Sequence, residues 1–124
     1  SGRVSCIQLD VRQPAAKFLG TFDLIISNPP YVTTGEYERL DPSVRDYEPR
    51  MALDGGADGL DFYRAIVKNF TSALKPGGFL CFEFGLGQQE AVCAILEQGG
   101  YEVCQLRDDN QGITRAVIAQ HTGR

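Results

Sequence analysis

The alternation of apolar and polar stretches along the chain predicts a series of strands and helices. Short runs of apolar and β-branched residues are typical of strands buried in a sheet. The predicted strands cover residues 4–9, 22–27, 79–84, 101–106 and 113–119. The polar turn of residues 107–112 separates the last two strands, which predicts that they pair as an antiparallel hairpin.

Helices are predicted where apolar residues recur at steps of three and four residues. The predicted helices and helical turns cover residues 15–19, 36–40, 60–74 and 88–98. The clearest is 60–74, where Asp58 or Asp61 can serve the amino terminus and Lys75-Pro76-Gly77-Gly78 ends the helix. Strands that alternate with helices and close with a hairpin predict an α/β fold.

The most specific chemical signal is Asn28-Pro29-Pro30-Tyr31, which follows the predicted strand 22–27. Neither proline can donate a hydrogen bond to a strand ladder, and Pro30 forces Pro29 into an extended conformation. The chain therefore leaves the sheet at Asn28. This is the carboxyl end of a strand, the place where open α/β sheets bind their ligands.

The groups in this stretch suit a planar –NH2 group. One of its hydrogens can bond to the side-chain oxygen of Asn28 and the other to the carbonyl oxygen of Pro29, while the plane stacks on Tyr31. The alternative interpretation is a turn that ends a strand and packs a tyrosine.

Composition places the chain among ordinary globular proteins. It has 124 residues, enough for one domain, with 43% hydrophobic and 23% charged residues. The net charge is 12 − 16 = −4 and the isoelectric point is near 4.9, which disfavours a nucleic-acid partner. No run of 18 apolar residues and no signal peptide is present, so we expect no membrane partner and a cytoplasmic location.

The cysteines and the histidine suggest no further site. Cys6, Cys81, Cys93 and Cys104 show no Cys-x-x-Cys spacing and lie in apolar stretches, so we expect buried thiols and no metal site. His121 falls in the polar tail and receives no role.

Asn-Pro-Pro-Tyr after a strand resembles the motif of methyltransferases that act on amino groups with S-adenosylmethionine. Residues 22–119 as a whole resemble the carboxyl-terminal part of the N5-glutamine methyltransferases that modify peptide chain release factors. The further segments that carry this resemblance are Val44-Arg45-Asp46-Tyr47-Glu48-Pro49, Gly56-Ala57-Asp58-Gly59-Leu60, Leu74-Lys75-Pro76-Gly77-Gly78, Glu83 with Gly85 and Gln88, and Asp108-Asp109-Asn110-Gln111-Gly112 with Arg115.

The resemblance implies the second half of a Rossmann-like fold, a mostly parallel sheet with a closing antiparallel hairpin. Residues 1–124 would form a partial methyltransferase domain that lacks the glycine-rich cofactor loop and the first strands. The isolated chain would then be inactive and bind S-adenosylmethionine weakly. The expected partner is the glutamine-bearing loop of a release factor.

The resemblance also assigns roles to residues. Asn28, Pro29 and Tyr31 would be catalytic, and together with Pro30 they would bind the substrate amide. Asp10 would accept a hydrogen bond from the adenine amino group, and Asn28 would also touch the cofactor. Asp10 could instead be an ordinary turn residue. Arg45, Glu48 and Glu83 are weaker candidates, because ion pairs that brace a loop explain them equally well.

Two alternatives remain at this point. DNA and RNA bases also present a planar –NH2 group, so a base amino-methyltransferase fits the motif, although the acidic charge disfavours it. A non-catalytic Rossmann-like fragment is the other. If neighbouring strands are missing, we expect the chain to self-associate through the apolar edge at residues 24–26, or residues 1–19 to be displaced.

Overall fold

A computed structural model describes residues 7–30, 33–40 and 55–122 of the chain. The strands in this part are β1 Phe22–Ser27, β2 Leu74–Glu83, β3 Tyr101–Asp108 and β4 Thr114–His121. The helices are α1 Thr34–Glu38, α2 Asp61–Phe70 and α3 Gln89–Gln98, with 3-10 turns at Lys17–Leu19 and Thr71–Ala73. The predicted α/β class is confirmed.

The strands form one sheet in the order β1-β2-β4-β3. β1 and β2 are parallel and are joined through α2, so together they make a β-α-β unit. β4 pairs antiparallel with both β2 and β3, and the second of these pairings is the predicted closing hairpin. Of the pairings between described strands, one is therefore parallel and two are antiparallel.

α2 and α3 cover one face of the sheet and create the core there. Tyr63 and Val92 from the helices meet Leu80, Phe82 and Val117 from the strands, all of them buried. The Tyr63 and Phe82 rings pack edge to face with centroids 5.1 Å apart. Burial of this apolar surface is the main contribution to the stability of the fold.

The predicted helix 60–74 ends early. Its last four residues form the 3-10 turn Thr71–Ala73 and the first residue of β2, because the Thr71 hydroxyl bonds to the Val67 carbonyl at 2.6 Å and Pro76 disfavours helix before it. Lys75-Pro76-Gly77-Gly78 becomes an interruption in the pairing of β2 with β1. A side chain at Gly78 would press against the Asp23 and Lys75 carbonyls, so only glycine fits this close approach.

The predicted strand 4–9 is wrong for the part of it that the structure describes. Residues 7–9 of the predicted strand 4–9 are not in a strand; residues 4–6 lie outside the described residues. A strand needs a ladder partner, and the described sheet ends at β1. Instead the backbone turns at Asp10, where the Gln13 N–H donates to the Asp10 carbonyl at 3.0 Å.

The opposite face of the sheet is open near β1. Leu24 is 49% exposed and Ile26 72% exposed, and Phe79 on β2 extends this apolar surface. An apolar run such as residues 22–27 predicts a strand buried on both faces of a sheet, and this prediction is wrong for the described structure. An apolar run does not reveal whether its strand lies in the middle or at the edge of a sheet.

The prediction that the cysteines are buried thiols is only partly correct. Cys81 and Cys93 are half-buried, whereas Cys104 is exposed, and Cys6 lies outside the described residues. His121 is the last residue of β4 and is buried against Tyr101, with ring centroids 5.4 Å apart, so it belongs to the fold rather than to a tail.

Candidate active site at the carboxyl ends of the parallel strands

The register of the two parallel strands puts Asn28 beside Glu83. Ser27 pairs with Phe82, and each chain continues by one residue to Asn28 and Glu83. Neighbouring strands lie about 4.8 Å apart, so the two side chains are within reach of one bound group. Because side chains alternate along a strand and Phe82 points into the core, Glu83 projects to the open face.

Asn28 presents a free amide to this end of the sheet. Its side chain is exposed and makes no hydrogen bond to another described residue, while Pro29 is buried and Pro30 is half-buried. The buried Pro29 fixes the point where the backbone leaves β1. Tyr31 lies outside the described residues, as do the weaker candidates Arg45 and Glu48.

The carboxyl end of β2 is hydrogen-bonded to α2, which packs on the core face of the sheet. The Tyr63 hydroxyl donates to the Glu83 carbonyl oxygen at 2.8 Å. The Gln88 side chain accepts the Gly85 N–H at 2.8 Å and reaches the Gly59 carbonyl at 3.4 Å. The Gln88 contacts join the loop after β2 to the segment before α2, so side-chain bonds to the backbone fix the Glu83 end of the sheet.

The chain that follows the motif is also attached to the segment before α2. Thr33 caps α1 in a reciprocal capping box with Glu36, which lowers the pKa of that carboxyl through the Thr33 hydroxyl and N–H. The Thr34 N–H donates to the Gly56 carbonyl at 2.8 Å. Gly56 has a φ of +96°, and a side chain there would collide with Asp61.

Asp10, the candidate cofactor residue, lies at a separate cavity of about 420 Å³. Among the described residues, the cavity is lined by Gln8, Leu9, Asp10, Val11 and Phe62. Asn28 is not among them, so this cavity does not bring Asp10 and the motif together. The chain offers an aromatic ring and a carboxylate here, groups that suit a flat base carrying an amino group.

The Asp10 carboxylate is engaged by its own chain. The Arg12 guanidinium donates to both carboxylate oxygens at 3.0 Å, and the Arg12 N–H donates to Oδ1 at 2.9 Å. These bonds hold the pKa of Asp10 below its ordinary value, so the group is ionised at neutral pH. A carboxylate has about four acceptor positions, so Arg12 leaves it capacity for another donor.

The sequence did not predict a site role for Tyr63. Its position in the apolar stripe of α2 predicts only a core residue. Its polar bond to the Glu83 carbonyl is invisible in a periodicity pattern. Among the described residues, no group of three or more histidine, cysteine or acidic side chains could hold a metal ion. In the same part of the chain, no helix has the length and apolar character required to cross a bilayer.

Comparison with known proteins identifies the family, although no family model matches the chain. The chain is 53% identical over 96 residues to the release factor glutamine methyltransferase of Geobacter sulfurreducens, covering 77% of this chain and 34% of that relative. It is 43% identical over 106 residues to the enzyme of the same name from Rhodospirillum rubrum, covering 86% and 33%. The chain belongs to the release factor glutamine methyltransferase family.

This family member spans about a third of the length of the curated relatives it matches. Solved structures agree on the fold. A methyltransferase from Pyrococcus furiosus superposes with a TM-score of 0.51 at 25% identity, covering 85% of this chain and 43% of that chain. The release factor-specific protein-(glutamine-N5) methyltransferase of Alicyclobacillus acidocaldarius gives a TM-score of 0.50 at 23% identity, covering 82% and 49%. These structures confirm the Rossmann-like fold predicted from the sequence, and the curated relatives confirm the predicted family.

Proposed function

We propose that this chain supplies the amide-binding site of an enzyme that methylates the side-chain nitrogen of a glutamine in a peptide chain release factor. The observation that carries the proposal is Asn28, an exposed amide with no described partner at the carboxyl end of a parallel strand. The family of the chain supports the choice of substrate. Its compartment would be the cytoplasm, where translation takes place.

The chemistry requires positioning more than proton removal. A glutamine amide nitrogen is a poor nucleophile because its lone pair is delocalised into the carbonyl, and it does not ionise at neutral pH. Acceptors at the Asn28 side chain and the Pro29 carbonyl would take one hydrogen each and orient the nitrogen. Neither proline carries an N–H, so no donor competes for the same hydrogens. The face of Tyr31 would hold the amide plane.

S-adenosylmethionine supplies the methyl group when it is bound. Asp10 would accept a hydrogen bond from the adenine amino group, with the Phe62 ring beside it in the same cavity. Asn28 would approach the cofactor at the other end of the site. The lowered pKa of Asp10 favours this role because an ionised carboxylate is a pure acceptor.

An amino group on a nucleic-acid base remains the alternative target. The net charge of −4 disfavours it, because phosphate contacts need lysine and arginine. Methylation assays on a release factor peptide that contains the target glutamine, run beside a single-stranded oligonucleotide, separate the two. Transfer to the oligonucleotide alone would overturn the glutamine assignment.

The test of the site itself uses the full-length reading frame. Asn28→Ala should lower kcat for the release factor peptide about 100- to 1,000-fold, the loss typical of one positioned hydrogen-bonding group. Stability should change little because the side chain is exposed. Asn110→Ala, an exposed asparagine in the β3–β4 turn, is the matched control and should leave kcat unchanged.

Tyr31 gives a second readout of the same site. Tyr31→Phe should keep most activity and Tyr31→Ala should lose it, since the proposed contact is the ring face. Near wild-type kcat in Asn28→Ala would refute the positioning role. Equal damage from both Tyr31 variants would instead assign a role to the hydroxyl.

We also propose that the separate 124-residue polypeptide self-associates through β1. Both β1 and β3 are edge strands of the described sheet, but they differ. β3 carries the exposed charges Glu102 and Arg107 and an irregular register, features that discourage edge pairing. β1 has one exposed charge, Asp23, and one register shift, both at its amino-terminal end. From Leu24 to Ser27 it pairs regularly with β2 and exposes Leu24 and Ile26, so this stretch is the edge on which a second copy would pair.

A further inference from the structure

Asn69 is a buried amide that attaches one segment of the chain to another. It lies in the last turn of α2 and is 8% exposed. Its side-chain Nδ2 donates to the Val11 carbonyl at 2.9 Å. Its backbone carbonyl, one of those left without a partner at a helix carboxyl terminus, accepts the Ala15 N–H at 3.0 Å.

The segment attached in this way is the one that carries Asp10. Residues 7–15 contain no described strand, so no ladder fixes them. The bonds within the segment, from Arg12 and Gln13 to Asp10, shape a local turn but do not place it. Among the described residues, the two bonds to Asn69 are the hydrogen bonds that join residues 7–15 to the rest of the structure.

The same helix lines the cavity beside Asp10. Phe62 stands seven residues before Asn69, two helical turns away on the same side of α2. It contributes to the cavity that Asp10 and Val11 also line. α2 therefore supplies one wall of the cavity at Phe62 and the attachment of the other wall at Asn69.

We propose that Asn69 is a positioning residue for the cofactor site: its amide sets the distance between Asp10 and Phe62 by holding the Val11 carbonyl. The inference rests on the proposed function, because it takes Asp10 as the group that binds the adenine amino group. The residue type matters. Aspartate would place an acceptor against an acceptor, and an aliphatic side chain would leave the Val11 carbonyl without its donor.

A buried amide needs partners in any fold, so loss of stability on mutation would not distinguish this role. A double-mutant cycle does. The measured quantity is the dissociation constant of S-adenosylhomocysteine, the product that S-adenosylmethionine leaves after methyl transfer, for the full-length protein by calorimetry. The variants are Asp10→Ala, Asn69→Ala and the double variant. Methyl transfer by Asn69→Ala supplies a second readout.

We expect Asp10→Ala to weaken binding about tenfold and Asn69→Ala about fivefold, corresponding to about 1.4 and about 1 kcal/mol, the range of a lost hydrogen bond. The double variant should bind no more weakly than Asp10→Ala, because Asn69 acts through Asp10. The KM for S-adenosylmethionine should rise in Asn69→Ala while kcat stays near wild type.

Thr71→Val is the matched control. Thr71 lies in the next turn and bonds to Val67 and Tyr101, away from the Asp10 segment, so this variant loses buried hydrogen bonds without altering affinity. If Asn69→Ala does not fold, Ala15→Pro removes the N–H from the other side of the same attachment. It should reproduce the weakening, again without adding to Asp10→Ala.

The outcomes separate the two claims. Additive losses in the double variant, or unchanged affinity in Asn69→Ala, would overturn the positioning role while leaving the proposed function intact. Failure of the wild-type protein to bind S-adenosylhomocysteine would overturn the proposed cofactor site, and this inference with it.

Discussion

Removal of the Tyr63 hydroxyl is the most direct test of how α2 holds the end of β2. Tyr63 is fully buried, its ring packs against Phe82, and its hydroxyl bonds to the Glu83 carbonyl at 2.8 Å. Tyr63→Phe removes the hydroxyl and keeps the ring. The perturbation is therefore the loss of one donor to a backbone acceptor that cannot rotate to find another partner.

The expected cost lies between the net value of a hydrogen bond, about 1 kcal/mol, and the cost of leaving a buried acceptor unpaired, about 1–3 kcal/mol. We expect a loss of about 1–2 kcal/mol in the free energy of unfolding. For a chain of this size, that corresponds to a fall in Tm of roughly 3–8 °C. Urea and thermal unfolding of the 124-residue chain, followed by far-UV circular dichroism, measure both quantities.

Tyr101→Phe is the control. Tyr101 is also buried, but its hydroxyl meets the Thr71 side chain at 2.9 Å, and Thr71 already bonds to the Val67 carbonyl. Its removal leaves a satisfied side chain behind, so we expect a smaller loss, about 0.5–1 kcal/mol. An unfolding free energy for Tyr63→Phe within about 0.3 kcal/mol of wild type would refute the reasoning, because the bond would then contribute nothing measurable.

Two further predictions concern the edge of the sheet and its turn. Ile26→Lys should convert a self-associated chain to monomer in sedimentation velocity. Leu106→Lys on the β3 edge should leave the sedimentation coefficient of the wild-type chain unchanged. A monomeric wild-type chain would contradict the β1 assignment. The Ile113 and Gln111 N–H groups lower the pKa of Asp109 from the ordinary 3.8, so its stabilising effect is complete above pH 3.8 and is lost as pH falls through the lower native pKa. Asp109→Asn should therefore be less stable than wild type at pH 7, and this gap should narrow in acid; a constant gap from pH 7 to pH 2 would show that the charge of Asp109 is not involved.

The elements that the sequence predicted well are those whose pattern is local. The stripes of α2 and α3 and the hairpin of β3 with β4 repeat at helical and strand periods over eight or more residues. The errors occur where the structure of a residue depends on its tertiary contacts rather than on the local pattern. Leu74 continues the helical stripe but is the first residue of β2, and period alone does not separate a buried helix position from a buried strand position.

The candidate site divides in the same way. Asn28 could be placed at a strand end because prolines interrupt pairing wherever they occur. Asp10 could be placed next to an apolar run, but its ion pair with Arg12 could not be predicted, nor could the bond between the neighbouring Val11 carbonyl and Asn69, 58 residues further along. Contacts of this kind depend on which helix face reaches which loop, and the composition of the segment carries no sign of them.

The two candidate regions share α2 as their common support. On one side of this helix, Tyr63 fixes the end of β2, which lies beside Asn28. On another, Phe62 and Asn69 face the segment that carries Asp10.

Asp58 stabilises the amino terminus of α2, because it accepts the Leu60 N–H at 3.0 Å and forms an ion pair with Arg64. The Arg64 guanidinium lowers the pKa of Asp58, so the Asp58 carboxylate is charged at neutral pH. A rigid helix that contacts both regions through different residues fixes their separation without any direct contact between them. Substitutions on its two sides should therefore affect amide positioning and cofactor affinity independently, which follows from geometry and not from a shared hydrogen-bond network.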